Sequence, residues 1–429
     1  MVLLLLLASL AFSEEFIVKL PEGAPVPSGL RVIERFKNYL LVDVPEESSR
    51  GQLSALGEYV VRNVELRLLA RPNDPLYGRQ WALKVVKAEK AWERRRDCSG
   101  VVVAFVDTGI DYLHEDLRAN LWRNPKECSG TPGYDDDGNG YVDDCMGYDF
   151  ANDDPDPMDD NGHGTHSAGV MGATGNNGKG VAGACWKAKI MALKILDSSG
   201  TGTAMDFLKA VHYAVDKGAA VVNTSLGTCP VGHPSCPVQE SDLLPLREAV
   251  EYALNHGVMV VAAAGNDGID ADRYPVYPAA YTRSYPNVVS VCSVDGNGEL
   301  SSFSNYGAKS VDLCAPGGVD SNGTAVLSTF PSDTYGFLSG TSVATPFVSA
   351  AVAYLLLKHP YATVSDLKSY LLRAVQGDLR GKARSGGYLD LSAVVSTASS
   401  GGGGCSTGSG SLLLSLLLLL ILLTRPRTP

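Results

Sequence analysis

Residues 101–111 read VVVAFVDTGID: six apolar residues without a polar break, then Asp107, then a glycine turn. A strand with one face in water alternates apolar and polar side chains, whereas an unbroken apolar run of this length is buried on both faces. The same kind of run recurs in AKIMALKIL (188–196), AAVVNTSLG (219–227), VMVVAAAGN (258–266) and VVSVCSV (288–294). Between them lie stretches with helical spacing, AMDFLKAVHYAVDKG (204–218) and LLPLREAVEYALNHG (243–257). Strand, glycine turn and helix in alternation predict an α/β domain over residues 71–395, with a parallel central sheet flanked by helices. No repeat of the solenoid kind is present. In such sheets ligands bind beyond the carboxyl ends of the strands, which is where this reading places Asp107.

The flanks differ in kind. Residues 1–13, MVLLLLLASLAFS, read as the apolar part of a secretory signal with small residues near Ser13, though no positively charged segment leads it. Residues 14–70 alternate short apolar runs (EEFIVKL, YLLVDVP, YVVRNVELRLLA) with a helix-like stretch near 51–56, which predicts a small α+β module. Residues 396–411 are rich in Ser and Gly; residues 412–423 are apolar apart from Ser415, and Arg425 and Arg427 follow. That apolar run spans roughly 18 Å as a helix, short of a ~30 Å hydrocarbon core, so it suits a sorting or processing signal better than a permanent span.

A net charge of −11 disfavours nucleic acid as a partner, because phosphate binding needs a basic surface. Nine cysteines in an exported chain suggest disulfides. With Cys405 in the tail, eight remain for pairing; Cys128 with Cys145 and Cys229 with Cys236 are near enough to staple local loops, but the connectivity stays open.

Four glycine-flanked blocks carry reactive side chains. Asp107 ends an apolar strand, where a carboxylate can also serve merely as a helix cap. In NGHGTHSAGVMG (161–172), His163 and His166 open a helix, and no third ligand group stands at a matching position to make them a metal pair. In GTSVATPFVSAAVAYLLLK (340–358), Ser342 opens a long apolar helix with Pro346 in its first turn, where a missing N–H costs little. Serine there is also an ordinary N-cap. In VVAAAGNDG (260–268), Asn266 follows another strand.

Taken together, Asp, His and Ser in this chain order and in these glycine-rich settings resemble the subtilase family; the resemblance covers roughly residues 72–395. The lipase-type alternative requires GxSxG and the order Ser, Asp, His, and neither is present. The resemblance implies a serine endopeptidase in which Ser342 attacks the peptide carbonyl, His163 takes and returns the proton, and Asp107 fixes the imidazole tautomer. It makes His163 the catalytic histidine and His166 a structural one, and it gives Asn266 the role of oxyanion donor alongside the backbone N–H of Ser342. It further implies two edges that clamp an extended peptide, Gly200-Thr201-Gly202 and Ser225-Leu226-Gly227. Ala263, Ala264 and Gly265 would form one wall of the primary pocket, and Tyr277-Pro278-Ala279 its far end, with Val276 near the base favouring small or medium residues. Residues 14–70 stand where the family carries an inhibitory propeptide, with a junction near 69–71. The glycines, Cys405, apolar run and arginines of residues 396–429 resemble bacterial C-terminal sorting tails, which implies transient membrane attachment and a secreted or cell-surface location.

The run DDDGNGYVDD (135–144) places oxygens at Asp135, Asp137 and Asn139, a carbonyl at Tyr141 and a carboxylate at Asp144. Alternate oxygens with glycines at the turn suit a hard cation such as Ca²⁺, though the Glu that closes an EF-hand is missing. Resemblance alone adds a second calcium set, Asp74, Asp116 and Asn177. A non-catalytic binding protein on the same scaffold, or a calcium-dependent adhesion protein, are the competing readings. An intact set of Asp, His, Ser and Asn argues against the first; only the acidic loop and the tail support the second.

Overall fold

The computed structural model describes residues 13–26, 31–45, 57–63, 71–318 and 324–396. The chain divides into two units between Leu69 and Ala70. In the first, β1 (Ser13–Lys19), β2 (Arg31–Phe36), β3 (Tyr39–Pro45) and β4 (Tyr59–Arg62) form an antiparallel sheet in the order β2-β3-β1-β4. Phe16, Val18, Leu40 and Val42 face one way and bury each other, as alternation requires. β2 escapes a pattern-based reading because all its residues are exposed. The helix expected near 51–56 lies outside the described residues.

The second unit is built on nine strands, and each of the five apolar runs supplies one. They are β5 (Val103–Asp107), β6 (Gly147–Asp149), β7 (Ile190–Lys194), β8 (Val221–Thr224), β9 (Met259–Ala263), β10 (Val288–Val294) and β11 (Leu313–Pro316), with β14 and β15 given below. Between them in the chain, β12 (Val326–Phe330) and β13 (Thr334–Leu338) form a separate hairpin. β14 (Val375–Gln376) and β15 (Tyr388–Leu389) are two-residue edge strands. The sheet order is β14-β15-β11-β10-β9-β8-β5-β7-β6, parallel throughout except for the β14–β15 pair. The expected α/β fold with a parallel central sheet is the observed one.

Alternation within the buried strands sorts the two faces. Val103 and Phe105 join the core under α1 (His163–Gly172) and α4 (Thr341–Lys358). Ala104 and Val106 join the core under α2 (Ala204–Asp216) and α3 (Leu244–Asn255). α2 starts at Thr203, whose hydroxyl accepts from Asp206 N. α5 (Val364–Arg373) starts with a reciprocal capping box between Thr363 and Asp366. Fifteen residues of α4 are buried, so this apolar helix is the central core element.

Four disulfides close the second unit. The two local pairs expected from spacing, Cys128–Cys145 and Cys229–Cys236, are present. Cys98–Cys185 links the approaches to β5 and β7, and Cys292–Cys314 joins residues that are direct partners across β10 and β11. Cys405 lies outside the described residues.

Candidate active site

Parallel strands bring their carboxyl ends to one edge of the sheet, and every proposed reactive group stands on that edge. Asp107 is the last residue of β5 and is buried. Its Oδ1 accepts from Thr108 N at 2.8 Å and lies 2.6 Å from His163 Nδ1. A carboxylate only accepts, so Nδ1 carries the proton and Nε2 keeps its lone pair. Burial opposes an imidazolium at His163, but the charge and hydrogen bond of Asp107 outweigh it, and the pKa lies above the ordinary value.

The start of the helix that carries His163 is held by a residue the sequence did not single out. Asp159 is buried; its Oδ1 accepts from Thr108 Oγ1, Asn161 N and Gly162 N, and its Oδ2 from Thr165 N and Oγ1. It thereby caps the N-terminus of α1 and ties it to the residue after Asp107. Gly162 enters that helix at φ 105°, and a methyl group there would meet Phe330 Cε1 at 2.7 Å. His166 is separate from this network. It is fully buried, bonds Val326 O through Nε2 at 2.9 Å, and burial depresses its pKa to about 3.

Ser342 is the second residue of α4, so its backbone N–H has no intrahelical partner. Asn266 is oriented by its carbonyl: Oδ1 accepts from Thr341 N at 2.8 Å and Thr341 Oγ1 at 2.9 Å, which leaves Nδ2 to face the other way. A methyl group on Gly340 would sit 2.9 Å from Ser342 Oγ, 3.4 Å from Asn266 Nδ2 and 3.7 Å from Ser342 N. The space kept open by that glycine is therefore shared by a hydroxyl and two donors. Behind it, Ser225 Oγ donates to Ser342 O (2.8 Å), Asn223 Nδ2 to Ser225 Oγ (3.0 Å) and Ser349 Oγ to Asn223 Oδ1 (2.8 Å). α1 and α4, which begin with His163 and the Thr341-Ser342 pair, pack against each other. Among the described residues no hydrogen bond yet joins His163 to Ser342, and in substrate-free sites such bonds often form only when the complex closes.

Beside the site is a cavity of about 310 Å³. Gly200, Thr201 and Gly202 line it along with Leu226, Gly227, Phe207 and Leu246. Val276 is buried between the next two segments: a methyl on Gly227 would come within 2.6 Å of its Cγ1, and one on Gly265 within 3.1 Å of its Cγ2. Ala263 and Ala264 are buried beside that contact.

The acidic loop is arranged differently from its linear pattern. Glu127, upstream of the loop, comes together with Asp135 and Asp137, their ligand oxygens all within 4.8 Å of one another. Asp144 is buried instead against Tyr213 OH, Asn124 Nδ2 and Asn139 Nδ2, each at 2.6 Å. Lys217 Nζ bonds Asp137 and lies 3.6 Å from Asp144. The Tyr141 ring packs edge-on against Tyr148 and Tyr213. Asp74 and Asp116 are buried near each other; Asn177 N donates to Asp74 and Asn177 Nδ2 to Asp116. Burial pushes the Asp74 carboxyl up against its backbone hydrogen bonds, and the Asp116 charge adds to the push. The clustered oxygens of Glu127, Asp135 and Asp137 fit a hard cation, whereas at the second set Asn177 turns N–H donors to both carboxylates and its Oδ1 accepts from Lys179 N.

A parallel sheet with an acid–imidazole pair at its carboxyl edge and a helix-borne serine beside two donors defines a hydrolase of the serine type. Residues 98–399 match the Subtilase family profile, and the chain belongs to that family of serine endopeptidases, which act on protein or peptide substrates. Thermitase of Thermoactinomyces vulgaris is 40% identical over 286 residues, 66% of this chain and 85% of that protein. The thermophilic serine proteinase of Bacillus sp. (strain AK1) is 36% identical over 331 residues, 77% and 71% of the two chains. The halolysin-like extracellular serine protease Nep of Natrialba magadii is 33% identical over 344 residues, 79% of this chain and 56% of that one. Among solved structures, a protease of Pseudoalteromonas arctica superposes with a TM-score of 0.58 at 28% identity, covering 76% of this chain and 98% of the other.

Proposed function

We propose that the chain is a secreted or cell-surface endopeptidase, made as a zymogen and stabilised by calcium, with Asp107, His163 and Ser342 as its triad. The observation that carries this reading is the 2.6 Å contact that commits the His163 Nδ1 proton to Asp107 and leaves Nε2 as a base. Nε2 takes the Ser342 hydroxyl proton as the oxygen attacks the peptide carbonyl, Asp107 stabilises the imidazolium, and the proton passes to the leaving amine. Water then hydrolyses the acyl-enzyme. Asn266 Nδ2 and Ser342 N–H donate to the oxyanion in the space beside Gly340. The substrate backbone lies between Gly200–Gly202 and Ser225–Gly227 as an added strand. Val276, filling the space between Gly227 and Gly265, shortens the primary pocket and selects small or medium side chains.

Calcium would be held by Glu127, Asp135 and Asp137 at the acidic loop and by Asp74, Asp116 and Asn177 at the second set. Bound there, the ion offsets buried carboxylate charge and takes no part in the chemistry. Residues 1–13 act as a signal, residues 14–70 as the inhibitory propeptide, and residues 396–429 as a sorting tail; the extracellular relative Nep supports export. A fluorophosphonate tests the centre of the proposal. It should label the mature protein at Ser342, and absence of labelling with calcium present would favour a binding protein on this scaffold. Ser342→Ala should accumulate as unprocessed precursor; normal maturation of that variant would remove self-cleavage.

A further inference from the structure

The loop closed by Cys229 and Cys236 is a part of the chain that the proposed chemistry leaves without a role. It follows the Ser225-Leu226-Gly227 edge directly and reads CPVGHPSCP over residues 229–237. Pro230, Pro234 and Pro237 each hold φ at about −65°, which removes much of the freedom of a surface loop. Two turns follow one another inside it, His233 N donating to Pro230 O at 3.1 Å and Cys236 N to His233 O at 2.9 Å. The disulfide closes the segment over a sequence separation of 7. Such a loop is prearranged before it touches anything else.

What it touches is the segment assigned to the far end of the primary pocket. Thr228 N donates to Tyr277 O at 2.9 Å, Tyr277 N donates to Thr228 Oγ1 at 3.2 Å, and Val231 N donates to Pro275 O at 2.8 Å. These three bonds engage the residues on both sides of Val276. The His233 ring stands edge-on to the Tyr274 ring with 5.1 Å between centres, and His233 Nδ1 lies 2.7 Å from Ser235 Oγ, inside the loop. From the other direction Ala280 N donates to Val276 O at 2.8 Å. Val276 is thus gripped by its neighbours in the chain while its two methyl groups fill the space between Gly227 and Gly265. Apolar pockets separate side chains that differ by one methylene by about tenfold or more, so a small displacement of Val276 changes which side chain fits.

We propose that residues 228–236 form a clamp that sets the depth of the primary pocket. Thr228 and Val231 are its positioning residues, and the Cys229–Cys236 disulfide keeps them in place. The clamp acts through Val276, and none of the bonds that build it involves a triad residue. This role rests on the peptidase reading above, with Val276 at the base of the pocket.

The test compares two peptides that differ only in the residue before the scissile bond, alanine or phenylalanine, cleaved by the processed enzyme. The unaltered enzyme should favour alanine. Cys229→Ser/Cys236→Ser and, separately, Val231→Pro should each relax that preference by about tenfold, through a rise in kcat/KM for the phenylalanine peptide. Val231 is the second residue of the turn closed on Pro230 O, a position that suits proline, so this change deletes the donor and keeps the turn. The rate at which a small fluorophosphonate labels Ser342 should stay the same, which serves as the control for folding. In a Val276→Ala background the same substitutions should change the preference little, whereas a loop that merely destabilises the enzyme acts equally in both backgrounds. Labelling at the parental rate with an unchanged preference in both variants overturns the clamp alone, and so does an equal effect with Val276→Ala. An unaltered enzyme that prefers phenylalanine puts the pocket base elsewhere and overturns it too. A chain that neither labels nor cleaves removes the peptidase reading and the clamp with it.

Discussion

With His163 as the proposed base, the ionisation of its imidazole should set the pH range of the activity. Asp107 outweighs burial at His163, so the folded pKa lies above the ordinary 6.5. A general base must be neutral, and therefore kcat/KM should fall as pH drops through a midpoint above 6.5. Asp107→Asn removes the opposing charge and the tautomer lock; it should lower kcat by about 10⁴, and the remaining activity should titrate at lower pH. An acid limb at or below the ordinary imidazole value in the unaltered enzyme would contradict the structure. On the other side of the reacting carbon, Asn266→Ala should cost about 10²–10³ in kcat with little change in KM, a magnitude established on subtilisin, a member of this family. Gly340→Ala should give a loss of similar kind although no donor is deleted, because its methyl would stand 2.9 Å from Ser342 Oγ and 3.4 Å from Asn266 Nδ2. A Gly340→Ala enzyme with unchanged kcat would show that the oxyanion does not form in that space.

Among the elements, those that repeat a simple pattern were legible and those fixed by distant partners were not. β5, β7, β8, β9 and β10 could be read from the sequence because burial on both faces leaves an unbroken apolar run. β14 and β15, two residues each, carry no period. Of the candidate site, Asp107, His163, Ser342 and Asn266 could be proposed from their glycine-flanked blocks. Asp159 was hidden among the neighbouring aspartates, and Glu127 stands outside the loop it joins. Nor does spacing reveal that Lys217, on the residue after α2, reaches back to Asp137. The chain of Ser349, Asn223 and Ser225 is equally invisible in the sequence, yet it joins α4 to the end of β8 behind Ser342, the proposed nucleophile. Ser349→Ala would leave buried Asn223 Oδ1 without its partner, at a cost of about 1–3 kcal/mol. Urea unfolding of the variant in a Ser342→Ala background measures this directly, and a stability within error of the parent would make the bond dispensable.

At the scale of the molecule, the acidic balance has local consequences, because carboxylates are packed into the second unit in two oxygen-lined groups. Glu127, Asp135 and Asp137 share one, while Asp74 and Asp116 are buried at the other. The two groups are unequal. Lys217 already supplies one positive charge to the first through Asp137, whereas the protonation of Asp74 is favoured by burial and by the charge of Asp116. A cation should therefore contribute more at the Asp74–Asp116 set, where no bonded ammonium competes among the described contacts. A site that binds only the folded chain adds about 2.7 kcal/mol when free calcium stands at 100 times its Kd. Chelation with EDTA should lower Tm by several degrees in the Ser342→Ala protein. Asp116→Asn should remove most of that EDTA-dependent shift, and Asp137→Asn only a smaller part. If EDTA leaves the Tm of the unaltered chain where it was, the carboxylates are balanced by their hydrogen bonds alone; if Asp137→Asn removes the larger share, the acidic loop outranks the buried pair.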